Sequence, residues 1–162
     1  MIILALDVGT EQSGYCLMDR ETYKPLEFGK IDNFTLLENV VRHGVYDVLV
    51  YEEFQSYGMP VGKSTIASIT WNGRYIQASC ERKIPYFPVY RVEEKINLCG
   101  TTKAKDANLR QAMIDRFATF DFKNGKGTKD NRDWFYGFSK DAWSAAIIGV
   151  TFIDRLNKDE TE

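Results

Sequence analysis

The first apolar block of the chain, Ile2-Ile3-Leu4-Ala5-Leu6, ends on Asp7 and a Val8-Gly9-Thr10 turn. An uninterrupted apolar run bounded by a glycine turn predicts a strand buried on both faces, because a half-exposed strand alternates apolar with polar positions. Ser13 to Met18 and Pro25 to Ile31 repeat strand patterns after short turns, which predicts an antiparallel meander. Leu36, Leu37, Val40 and Val41 then recur at helical spacing, and Val48-Leu49-Val50-Tyr51 returns to strand and ends on Glu52-Glu53. A helix between two strands is the crossover of a parallel pair, so the fourth strand is expected beside the first. From Ser64, a good N-cap, a helical pattern runs to Cys80, and its small residues suit packing on the sheet or on a second copy of itself. Ile84 to Tyr90, with two prolines, reads as an edge strand. A second long helix follows Lys103-Ala104-Lys105-Asp106, and a last one opens at Ser139-Lys140-Asp141, with Ala145, Ile148, Phe152 and Leu156 as its apolar stripe. Residues 122 to 133 lack periodicity and predict a loop, disordered in the absence of a ligand. The expected class is α/β, a central mixed five-stranded sheet flanked by helices, in one domain spanning residues 1–162.

Composition adds limits. With 162 residues, 44% of them hydrophobic, the chain can bury a substantial core, and no apolar run is long enough for a membrane span or a secretory leader. Cys16, Cys80 and Cys99 are odd in number and show no zinc spacing, a usage that fits a reducing cytoplasm. The net charge of -2 hides an asymmetry, since residues 91–140 carry eleven Lys/Arg against seven Asp/Glu. These basic residues suit phosphate contacts, and they equally suit a solvated helix face.

The chemistry starts with Asp7. A lone carboxylate at the mouth of a core strand costs several kcal/mol unless it is paired or binds a cation, although a turn-capping Asp explains the same position. With the fourth strand parallel to the first, Glu52 and Asp7 leave the sheet at the same edge, where paired carboxylates make a hard-oxygen pocket suited to Mg²⁺ or Mn²⁺. Asp141 falls in the first turn of the last helix, a place the helix dipole also favours for an acid. His43, the single histidine, lies before the fourth strand and is poorly placed as a base.

An Asp ending the first strand, a Glu ending the fourth and an Asp opening the last helix resemble the ribonuclease H-like architecture. Within it the chain is similar to the RuvC-type Holliday junction resolvases, in a shortened form such as phages encode. The likeness rests on Ile3 to Thr10 with Ser13-Gly14-Tyr15, on Val50-Tyr51-Glu52, on Asn72-Gly73-Arg74, on Val92 and Lys95 through Gly100 to Lys103 and Lys105, and on Asp141-Ala142. No single motif is specific, whereas the ordered set spans essentially the whole chain. The resemblance implies that Asp7, Glu52 and Asp141 are catalytic ligands of two Mg²⁺ ions, with Mn²⁺ able to substitute, and that Lys95, Lys103, Lys105 and Arg74 contact DNA. It implies a homodimer that nicks a four-way junction symmetrically, leaving 5′ phosphate and 3′ hydroxyl ends, with the helix from Ser64 to Cys80 as the seam. Phe54 and Tyr57, close after Glu52, are candidate wedges for opening branched DNA.

There is one departure. The family carries two acids, or a His and an acid, three residues apart at the last helix, whereas Phe138 and Ser144 flank Asp141 here. Glu53 and Asp133 are the candidate replacements. Two other readings stand beside the nuclease: a junction-binding protein without catalysis, and an actin-like ATP-binding domain, for which the chain lacks a duplicated second domain and an adenosine motif.

Overall fold

The computed structural model describes residues 1–161. Five strands, β1 (Ile2–Asp7), β2 (Gln12–Asp19), β3 (Pro25–Asp32), β4 (Val48–Glu53) and β5 (Tyr86–Tyr90), form one sheet in the order β3-β2-β1-β4-β5. The meander β1-β2-β3 is antiparallel, and β4 lies parallel to both β1 and β5. The expected mixed sheet is therefore present, with β1 at its centre and the proline-containing β5 at one edge.

Both faces of β1 are covered, and the alternation of its side chains assigns them. Leu4 and Leu6 pack with Leu49, Tyr51, Trp71, Tyr75 and Ala78 beneath α1 (Asn33–Thr35), its π-helical continuation Leu36–Arg42, and α2 (Lys63–Glu81). Ile3 and Ala5 pack with Val48, Val50, Ile148 and Phe152 beneath α5 (Lys140–Asp159). Gly149 brings α5 onto the sheet: a Cβ there would meet the Met18 sulfur at 2.5 Å and the Ala5 Cβ at 3.3 Å. Helices α3 (Arg91–Cys99) and α4 (Asp106–Phe117) complete this side. No helix among the described residues is long and apolar enough to cross a membrane.

Three local expectations need correction. Helix α2 starts at Lys63 on Gly62, so Ser64 lies inside its first turn. Helix α3 was not expected from the pattern, because it follows β5 with no loop between them. Its signals are Glu93, whose carboxylate accepts the Tyr90 backbone N–H at 2.7 Å, and Gly100, which closes the helix at φ 69°. The segment 122–133 is the expected loop, but it is ordered by its own hydrogen bonds rather than disordered. Asp133 accepts the backbone N–H groups of Thr119, Phe120, Asp121 and Trp134 and the Thr119 hydroxyl, while Asp121 accepts those of Asn124, Lys126 and Gly127. Burial alone would raise the Asp133 pKa, yet the amides of Phe120, Asp121 and Thr119 hold it well below the usual carboxylate range. A side chain so engaged has no lone pairs left for a metal, which removes Asp133 as a substitute ligand.

Asp133→Ala is expected to release the whole connection between α4 and α5. Losing several bonds to one charged acceptor costs on the order of 2–4 kcal/mol, read as a lower Tm together with early hydrogen exchange at the amides of residues 119–121.

Candidate active site

The parallel register Leu6↔Tyr51 places the ends of β1 and β4 side by side. Asp7 and Glu52 continue the Ile3-Ala5 and Val48-Val50 rows, so both belong to the α5 face of the sheet, whereas Glu53 belongs to the opposite row with Leu49 and Tyr51. The Tyr51 hydroxyl donates to Glu53 at 3.3 Å. Glu53 is thus turned away from the pair and does not replace a missing ligand.

Asp141 reaches the same edge from the first turn of α5. Gly14, the β2 partner of Asp7, makes this approach possible. A Cβ at Gly14 would lie 2.6 Å from the Asp141 carbonyl oxygen and 3.0 Å from its Cβ, so any side chain there pushes the α5 terminus away. The turn leaving Asp7 is fixed by a buried polar cluster. Ser13 Oγ accepts the Gly9 N–H at 3.1 Å and donates to Asn33 Oδ1 at 2.5 Å, and Asn33 Nδ2 donates to the Gly9 carbonyl at 3.0 Å. Asn33 escaped the sequence reading, since a buried asparagine at a helix start is indistinguishable there from a surface cap.

Asp7 lies between two clefts. One, of about 270 Å³, is lined by Asp7, Glu52, Phe54 and the α2 residues Ser64, Ser68 and Asn72. The other, of about 310 Å³, is lined by Asp7, the turn 9–12, Lys30 and Asp141. Lys30 Nζ is 3.3 Å from Asp141 Oδ2. Burial, then the charge of Asp141, raises the Asp7 pKa, while Arg91, a bond from Ser144 and Lys30 oppose the rise. Burial, then Asp7, raises that of Glu52, again against Arg91.

A fourth acid of this edge, unnoticed in the sequence, is Glu94 on α3. It is completely buried, its Oε1 has no hydrogen-bond partner, and burial followed by the charges of Glu52 and Asp7 pushes its pKa up to about 8 despite the Arg91 guanidinium bonded to it. Asn72 also holds an orphaned oxygen: its Nδ2 donates to the Glu52 carbonyl at 3.3 Å, and its buried Oδ1 has no partner. Among the described residues no three His, Cys, Asp or Glu side chains stand close enough to share an ion as they are placed. Asp141 leans on Lys30 and Glu94 on Arg91, as like charges do when protein cations are within reach. The donor set still suits a hard divalent ion, because it consists of carboxylates plus the unpartnered amide oxygen of Asn72.

The expected DNA contacts fall into groups. Phe54 lines the acid cleft and is 41% exposed, while Tyr57 is 79% exposed and only bonds Gln55. Lys95 is half-buried on α3, and Lys103 and Lys105 are exposed just before α4, next to Asp106. Arg74 stacks over Trp71 on α2 and does not line the acid cleft. A cleft of about 500 Å³ between α4 and the 121–127 loop carries Arg110, Lys123 and Lys126, all from the basic stretch 91–140. His43 bonds the Glu38 carbonyl and is exposed, away from the acids.

No protein-family model matches the chain, and no curated protein matches it in sequence. Its fold does match solved structures. The RuvC structure of Thermus thermophilus superposes with a TM-score of 0.68 over 97% of this chain and 97% of that one, at 15% identity. RuvC from the same organism in complex with a Holliday junction substrate gives 0.65 over 96% of each chain at 13% identity. The yeast mitochondrial Holliday junction resolvase Ydc2 gives 0.60 at 13% identity, covering 93% of this chain and 77% of that one. The ribonuclease H-like fold expected from the residues is therefore the fold observed.

Carboxylates whose pKa is raised by folding stabilise the native state fully below their unfolded pKa and lose that contribution as pH rises through the folded one. With Asp7, Glu52 and Glu94 all raised, the metal-free protein should lose stability between about pH 4.5 and pH 8, the upper limit being that of Glu94. Asp7→Asn should flatten that slope and raise Tm at pH 8 by a few degrees, roughly 2–4 °C for each kcal/mol of relieved repulsion. A wild-type Tm that climbs over the same interval would contradict the acid cluster.

Proposed function

We propose that the chain is a metal-dependent endonuclease that resolves Holliday junctions, and related branched DNA, by paired nicks leaving 5′ phosphate and 3′ hydroxyl ends. The observation that carries this reading is the convergence of Asp7, Glu52 and Asp141 on one sheet edge, in a fold whose solved neighbours include RuvC and a mitochondrial Holliday junction resolvase. Asp7, Glu52 and Asp141 hold the ion, with Asn72 Oδ1 as a neutral donor beside them. Mg²⁺ or Mn²⁺, when bound, supplies a water of lowered pKa and a counter-charge for the leaving 3′ oxygen. The protein residues orient the phosphate and keep the acids dry enough for the charges to act strongly.

Substrate binding follows from the charged surface. Lys95, Lys103 and Lys105 track the DNA backbone on the α3–α4 side, and Arg110, Lys123 and Lys126 extend that track. Two symmetric nicks require two sites, hence a C2 homodimer. Helix α2 is its seam: Ile66 and Ile69 are 53% and 40% exposed, and the space above Gly73 is open, so a second helix can approach closely.

A second reading, a junction-binding protein without catalysis, is favoured by one observation: neither Phe138 nor Ser144 supplies a partner acid for Asp141. Synthetic four-way, Y-shaped and linear duplexes incubated with Mg²⁺ or Mn²⁺ separate the two. Paired nicks in the four-way substrate are expected from the wild type. Asp7→Asn, Glu52→Gln and Asp141→Asn should each lower cutting by at least about a hundredfold, the scale of losing one charge-stabilising group, while binding the junction as well or better. Junction binding with no cutting by the wild type in either ion would establish the inactive binder.

Phe54 gives a sharper check on substrate. Unstacking a base step costs a few kcal/mol, which an inserted aromatic offsets. Phe54→Ala should slow cutting of intact junctions and recover on junctions already unpaired at the crossover, with Tyr57→Ala the weaker variant. Equal slowing on both substrates would assign Phe54 to packing.

A further inference from the structure

Arg91 stands where the acids meet. It is the first residue of α3, directly after β5, and β5 pairs in parallel with the strand that ends in Glu52 and Glu53. Its guanidinium is bonded by Glu94 on one side and Asp106, the first residue of α4, on the other. About a third of its side chain (32%) remains open to solvent. It lines a small cleft of about 90 Å³ with Asp106, Arg110, Lys140 and Ser144. Glu94 behind it is completely buried with one oxygen unsatisfied, an arrangement rarely kept without a reason.

Helix α5 contributes a single acid to this edge, Asp141. Phe138 lies in the core against Phe28, Phe135 and Trp143, and Ser144 is neutral. Glu53 is turned to the other face and Asp133 is consumed by the loop it organises. The fourth acid of the edge, Glu94, is engaged by a fixed positive charge, Arg91.

We propose that Arg91 is the second cation of the site: a phosphate-contacting arginine, locked by Glu94 and Asp106, that takes the electrostatic place of one of the two divalent ions, so that each protomer binds a single Mg²⁺ or Mn²⁺. The proposal rests on the metal-dependent nuclease reading above. A guanidinium presents five N–H donors in a rigid fork, and engaging two carboxylates leaves donors that can address two phosphate oxygens at once. Held in a partly dry pocket, it stabilises charge building on the phosphate without reorganising at the moment of reaction. Glu94 and Asp106 are positioning residues. They restrict a long side chain that in free solution samples many rotamers, so less entropy is lost when phosphate arrives. A lysine at this position offers a point charge and no fork.

The test counts ions on the protein alone, by electron paramagnetic resonance of free Mn²⁺, with thermal melts to verify folding. Wild type should bind one Mn²⁺ per protomer and Asp7→Asn none. Arg91→Ala should admit a second ion, because removing the guanidinium leaves the acids uncompensated, and its cutting should recover partly as Mn²⁺ is raised. Glu94→Ala and Glu94→Gln both leave the guanidinium in place and should stay at one ion, with Glu94→Ala the slower at cutting because Arg91 loses an acceptor that positions it. Should Arg91→Ala fail to fold, Arg91→Lys carries the test: one ion, with cutting lowered about a hundredfold and junction affinity little changed. Two ions in the wild type, with Arg91→Ala unchanged, would overturn the role of Arg91 and leave the nuclease reading standing, as would wild-type cutting by Arg91→Lys. Equal Mn²⁺ binding by wild type and Asp7→Asn would instead overturn the metal reading itself.

Discussion

The constraint on which the structure turns is the placement of like charge at the end of a strand that has no exposed face. β1 is buried by α5 on one side and α2 on the other, so Asp7 leaves the core at the edge where β4 delivers Glu52 and α5 delivers Asp141. Carboxylates gathered at such an edge repel one another and lose hydration, and both effects raise the Asp7 and Glu52 pKa values. A hydrophobic core does not need this arrangement. The surroundings are built to hold it: Gly14 lets the α5 terminus approach, Ser13 and Asn33 clamp the turn after Asp7, and Lys30 and Arg91 supply positive charge.

Two helix starts do the electrostatic fine work. Helix α5 presents Asp141 at its N-terminus, where the dipole favours an anion and so offsets part of the repulsion from Asp7. Helix α3 begins with Arg91 and buries Glu94 one turn later, which fastens a cation beside the acids. The basic residues that suit a nucleic-acid backbone lie outside this inner ring, on α3, α4 and the loop that Asp121 and Asp133 organise. Short-range charge is thus concentrated at the candidate reaction centre, and longer-range charge at the surface that a polyanion would reach first.

The order of elements was legible in the residues, because burial on both faces writes an uninterrupted apolar run and a crossover helix writes a 3.6-residue period. The same logic located Asp7 and Glu52, each the first polar residue after an apolar strand, while Asp141, in the first turn of the last helix, joined them only through the resemblance. Helix α3 is not legible because Arg91 to Cys99 follows β5 without a break, and the order of the 122–133 loop is not, because it comes from two aspartates accepting backbone amides, a pattern with no periodicity.

Sequence by itself determined the sheet, its parallel crossover and the two acids Asp7 and Glu52 at its edge, since these depend on local patterns and on the direction of short connections, whereas Asp141 joined them only through the resemblance to a known architecture. Only the tertiary structure decided which acids face one another. Glu52 and Glu53 are adjacent in the chain, yet strand pleating sends them to opposite faces, while Glu94, ordinary in a charged run, becomes fully buried because α3 packs against α4 and α5. Charge interactions follow distance in space, and distance in space between residues far apart in sequence is set by packing, which no local pattern records.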